Sequence, residues 1–84
     1  MDAWPHWWSC EIVISAHALK RLLERGLDEI DLRAMLEDAN GYRPATVPGR
    51  FVIACVHEAQ PWGVVVEPDE VDRVLVVVTA YRVE

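Results

Sequence analysis

His17, Arg21 and Glu24 recur at four- and three-residue spacing. On a helix turning about 100° per residue they fall in one narrow stripe, with Lys20 and Arg25 on its flanks. A histidine takes or gives a proton near neutral pH, and a guanidinium one turn away can grip a phosphate or carboxylate beside it. Near the other end of the chain, Thr79 and Tyr81 stand two residues apart and so share one face of a strand, with Arg82 on the opposite face. That hydroxyl pair can orient or protonate a phosphate oxygen. Arg43 and Arg50 flank a proline-containing loop and offer two further anion contacts. The chemistry open to such a set is proton transfer and anion stabilisation without a metal. Cys55 and His57 share a strand face, but no third ligand stands at metal-site spacing. Each pattern also has an ordinary reading. A polar helix stripe is what solvated surface looks like, Thr and Tyr are common strand residues, and exposed loop arginines often bind nothing specific.

The elements that must position these residues follow from periodicity. Glu11 to Ile14 is short and β-branched and leads into Ser15, a good helix cap. Leu19, Leu22, Leu23 and Leu27 repeat at helical spacing before Gly26, which predicts a helix over residues 16–25. Asp28 can cap a second helix, whose stripe of Leu32, Met35, Leu36 and Ala39 ends at Asn40-Gly41. Tyr42 to Gly49 reads as a loop broken by Pro44, Pro48 and Gly49. Three strands should follow: Phe51 to His57, ended by Pro61; Trp62 to Glu67, turning at Pro68-Asp69-Glu70; and Val71 to Val83. The order is βααβββ. Turns this short exclude crossovers, so the expected fold is α+β, an N-terminal helical hairpin packed on a three- to four-stranded antiparallel sheet.

With 84 residues, 52% apolar and 26% charged, residues 1–84 are composed as a single small domain with a tryptophan-rich lead segment over residues 1–10. A chain of this size is marginal alone, which favours a homo-oligomer or a heterocomplex. Trp4, Trp7 and Trp8 would then cover the sheet or face a partner. A net charge of −6 argues against nonspecific binding of nucleic acid or anionic membrane, while leaving room for a local basic patch. Cys10 and Cys55 have no framework spacing and are expected as free thiols. No signal-peptide pattern and no apolar run of spanning length is present, so the expected location is cytoplasmic.

The run Ser15-Ala16-His17-Ala18-Leu19-Lys20-Arg21-Leu22-Leu23-Glu24-Arg25-Gly26-Leu27, with Val78-Thr79-Ala80-Tyr81 near the end, resembles a small bacterial family of unknown function. Its pattern is S-x-H-A-x-x-R-x-x-E-R-G-[IL], a second helix, and three strands closing on V-T-x-Y. That family looks related to BrnT-like and RelE-like toxins, within the barnase, EndoU, colicin and RelE group of ribonuclease folds. The resemblance implies a metal-independent endoribonuclease domain of a toxin–antitoxin or related conflict system, acting on RNA without a cofactor and held by a cognate antitoxin or another protein. It carries catalytic roles to His17, Arg21, Thr79 and Tyr81, and Arg25, Arg43 and Arg50 would bind substrate. The competing expectation is a noncatalytic protein-binding module or dimerising subunit on the same fold.

Overall fold

Local signals at the two helices do what their residue types dictate. A computed structural model describes residues 4–83. Strand β1 (Glu11–Ile14) runs into Ser15, whose Oγ accepts the Ala18 amide at 3.1 Å and caps α1 (Ala16–Glu24). At its far end Gly26 takes a φ of +84°, Gly26 N–H donates to the Leu23 carbonyl and Leu27 N–H donates to that of Leu22. This left-handed stop folds Leu27 back beside Leu22, both buried. Helix α2 (Glu29–Glu37) opens on reciprocal hydrogen bonds in which Asp28 and Asp31 each accept the other's amide.

Four further strands follow: β2 (Gly41–Pro44), β3 (Phe51–His57), β4 (Gln60–Asp69) and β5 (Val74–Arg82). They form one five-stranded sheet in the order β1-β5-β4-β3-β2. Antiparallel pairing joins β2 through β5 in sequence, while β1 lies parallel to β5, Glu11 to Ile14 against Val74 to Val77. Helix α1 packs against β5 and α2 against β3, both on one face of the sheet. Between the layers, Leu22, Leu27, Leu32, Ile53, Val64, Val66, Leu75 and Val77 are fully buried.

The sheet therefore differs from the expected one in two respects. It has five strands, because residues 41–44 pair with residues 51–54 instead of looping. Pro44 is tolerated there since β2 is an edge strand, where a missing N–H breaks no ladder on the outer side. The sheet is also mixed. Short turns require antiparallel neighbours only between consecutive strands, and β1 pairs with the last strand, so the whole intervening chain serves as its connection. The turn after β3 lies at residues 58–59, both at positive φ, and Pro61 falls inside β4. Val71, 93% exposed, lies in the turn before β5.

The lead segment folds back on the domain's own core. Trp7 is 5% exposed and its ring lies 4.8 Å from that of Phe51, while Trp4 stacks on Trp8 at 4.4 Å. His6 reaches Glu70 in the β4–β5 turn at 2.9 Å. Residues 1–3 of this segment and residue 84 lie outside the described part of the domain. Among the described residues no helix is long and apolar enough to cross a membrane. Truncation of a buried tryptophan costs about 3–5 kcal/mol. Trp7→Ala should lower unfolding stability in urea by that order, whereas Trp4→Ala should cost far less.

Both cysteines are unpaired, Cys10 half-buried and Cys55 buried. Burial pushes the Cys55 thiol up to about 11, which suppresses the reactive thiolate. Thiol titration at pH 8 should label Cys10 and spare Cys55 until denaturant is added.

Candidate functional site

A strand's side chains alternate, so Leu75, Val77, Thr79 and Tyr81 would all point into the core if β5 were regular. It is not regular. Val66 pairs with Val77 and Val65 with Thr79, which leaves Val78 as one extra residue. This bulge resets the alternation: Ala80 becomes the buried residue, 0% exposed, and Thr79 and Tyr81 turn to the sheet face opposite the helices. The register puts Val52, Ala54 and Val56 of β3, with Gly63 and Val65 of β4, on that same open face.

The Tyr81 ring lies across Gly63. A Cβ at that position would stand 2.7 Å from Tyr81 Cζ and 2.8 Å from its hydroxyl oxygen, so only glycine lets the ring lie so low. There Arg43 Nη2, from edge strand β2, donates to the Tyr81 hydroxyl at 3.3 Å. From the other edge comes Arg25, the residue that ends α1. Its Nη1 donates to the Ala80 carbonyl and lies 3.4 Å from Thr79 Oγ1. Because β1 stops at its pairing with Val77, the β5 edge beyond that point has no strand neighbour, and Arg25 satisfies it instead. Arg50 Nε pairs with Glu67 at 2.9 Å.

Three cavities share Tyr81 as a wall. One of about 430 Å³ extends over Ala54, Val56 and Gly63, with Arg43 at its rim. A second, about 400 Å³, takes in Arg43, Arg50, Thr46 and Thr79. The third, about 360 Å³, lies between Tyr81, Arg25, Arg82 and Trp62. Four of the chain's eight basic residues line these cavities, and among the described residues no aspartate or glutamate does. In a chain of net charge −6, this is where positive charge gathers.

The structure thus brings together Thr79, Tyr81, Arg25, Arg43 and Arg50 of the sequence-derived set. His17 and Arg21 do not join them. Both are exposed on α1 and line none of these cavities. Cys55 points into the core, and among the described residues no three histidine, cysteine or acidic side chains are grouped to hold a metal. Sequence reasoning missed Gly63 and Arg82. A glycine inside a strand was the available signal for the first, since it marks close approach of something to the backbone. Arg82 was assigned only to the opposite face and gave no signal of its own.

Fold and site together define a small α+β domain whose open sheet face carries Tyr81 with Arg43 beside it and Arg25 reaching the same strand from the sheet edge. The chain belongs to the family described as a domain of unknown function, DUF4258, whose model matches residues 14–82. Comparison with curated proteins and with solved structures gives no match to either.

Gly63→Ala should displace the Tyr81 ring and break its hydrogen bond with Arg43 while the sheet persists. Overpacking of this kind costs about 1–3 kcal/mol. The measurement is the nuclear Overhauser contact between the Tyr81 ring and residue 63, together with urea unfolding.

Proposed function

We propose that the open sheet face is the catalytic site of a metal-independent endoribonuclease, of the toxin type that the helix and terminal-strand motifs suggest. The observation that carries the reading is Arg43 hydrogen-bonded to the Tyr81 hydroxyl on the open face, with Arg50, itself paired with Glu67, lining the adjoining cavity and Arg25 reaching Thr79 from the sheet edge. A polyanion finds guanidinium contacts there.

In the reaction, the ribose 2′-oxygen attacks the adjacent phosphorus. A 2′-O–P bond forms and the P–O5′ bond breaks, leaving a 2′,3′-cyclic phosphate and a free 5′-hydroxyl. Arg43 steadies the charge that builds on the phosphoryl oxygens. The Tyr81 phenol, held beside Arg43, gives a proton to the departing 5′-oxygen. The 2′-proton passes to water. His17 precedes Arg25 by eight residues, about 12 Å along a helix, so it lies outside the phosphate-gripping set. Arg21, one turn before Arg25, lines none of the cavities, so the catalytic role expected for it passes to Arg43. In a toxin–antitoxin or related conflict system, a cognate protein would cover this face until release.

Loss of one transition-state contact typically lowers a rate about a hundredfold to a thousandfold. Arg43→Ala and Tyr81→Phe should each lower RNA cleavage by that order with unfolding stability little changed, and His17→Ala should cost much less. Cleavage is read on labelled RNA with EDTA present, by the cyclic-phosphate product, and on ribosome-bound message as well as free strands. Intact RNA in every case, with normal growth of cells expressing the chain, overturns the reading in favour of a noncatalytic module.

A further inference from the structure

The open face of β3 and β4 is oddly composed for a surface. A sheet with one face toward water alternates apolar with polar residues, yet where β3 and β4 pair from Val52 to Val56 the outward positions are Val52, Ala54 and Val56 on β3 and Pro61, Gly63 and Val65 on β4; the next outward residue of β4, Glu67, pairs with Arg50. Val52 and Gly63 are buried, Gly63 beneath the Tyr81 ring, while Ala54, Pro61 and Val56, the last at 49%, are left exposed. The cavity of about 430 Å³ lies over this apolar floor, and its wall toward β5 is the Tyr81 ring. Arg43 stands at the border between this cavity and the neighbouring one of about 400 Å³, where Arg50 and the hydroxyls of Thr46 and Thr79 collect. An apolar hollow with one aromatic wall thus adjoins a cationic, hydroxyl-rich one. Together they suit a ligand with a flat, weakly polar body joined to an anion.

We infer that the apolar cavity takes one unpaired nucleobase of the RNA strand, packed against Tyr81, while Arg43 holds the phosphate attached to that nucleotide in the adjoining cavity. The inference rests on the ribonuclease reading and narrows its substrate to single-stranded RNA. In a duplex, bases are stacked on one another and paired, so none can enter a hollow in a protein surface. An unpaired base can swing out and stack on an aromatic ring. Gly63 contributes to the fit, since it lets the Tyr81 ring lie low enough to wall the hollow and still meet Arg43. Charge complementarity favours this occupant over an apolar protein segment, for which the arginine rim would be a desolvation penalty.

The test uses the full chain and 2′-O-methyl RNA, which cannot be cleaved because its nucleophile is blocked. Four probes are compared by fluorescence anisotropy or its competition: the single strand, the same strand annealed to its complement, an abasic strand of equal length, and inorganic polyphosphate. Stacking of one base is typically worth about five- to 150-fold in affinity. The abasic strand and the duplex should bind more weakly than the single strand by a factor in that range. Ala54→Leu, which fills the hollow from an exposed position, should weaken the single strand equally and leave the abasic strand unchanged. Equal binding of single, abasic and duplex strands, or an Ala54→Leu protein that binds the single strand as wild type does, overturns the base site while leaving RNA cleavage standing. Failure of every nucleic-acid probe to bind overturns both.

Discussion

Between Val77 and Thr79 the last strand carries one residue more than its partner, and the geometry of the site descends from that surplus. Up to Val77, odd-numbered residues of β5 fill the core; after the bulge the even-numbered Ala80 does. A β-bulge costs a local break in the ladder and increases twist. Here it also lets one strand serve the core with Leu75, Val77 and Ala80 and the open face with Thr79 and Tyr81. The bulge begins where β1 ends, at the Ile14–Val77 pair. Beyond this point β5 has one free edge, and Arg25 closes part of it from the end of α1. Helix termination and sheet edge are thereby coupled: Gly26 stops the helix in the left-handed conformation, and the residue just before it reaches Ala80 and Thr79. The E-R-G segment of the helix motif thus has a structural task at β5.

Much of the helical layer was legible in the sequence because each signal there is local. Ser15, Gly26 and Asp28 act on backbone groups within four residues, and of the leucine repeat Leu22 and Leu27 are buried as expected while Leu23 is 55% exposed. The sheet was legible only in part. Strand composition located β1, β3, β4 and β5, but Gly41 and Pro44 disguised β2, whose pairing is fixed by the register of residues 51–54. The parallel β1–β5 pair joins residues some sixty positions apart, and no local pattern announces it.

The site was half legible for a related reason. Alternation correctly put Thr79 and Tyr81 on one face, yet that rule says nothing about which face, and without the bulge it would have been the buried one. Arg43 and Arg50 were visible only as loop arginines; pairing of β2 with β3 is what carries Arg43 to the tyrosine. The stripe of His17 and Arg21 had the stronger sequence signal but stands apart from the cavities. Its spacing reports one helix, whereas the cationic cluster is assembled from both edges of the sheet.

Net charge and local charge then pull in opposite directions, and distance decides between them. Glu24, Asp28, Glu29, Asp31, Glu37 and Asp38 belong to α1, α2 and their caps, on the far side of the sheet from Tyr81. At physiological salt the screening length is about 8 Å, so these carboxylates weigh little on a phosphate in contact with Arg43. They still remove the long-range attraction by which basic proteins collect nucleic acid from a distance. Were the domain to cleave RNA as proposed, the consequence would be selection by fit: binding would come from contacts made when a strand is seated beside Arg43, not from long-range attraction.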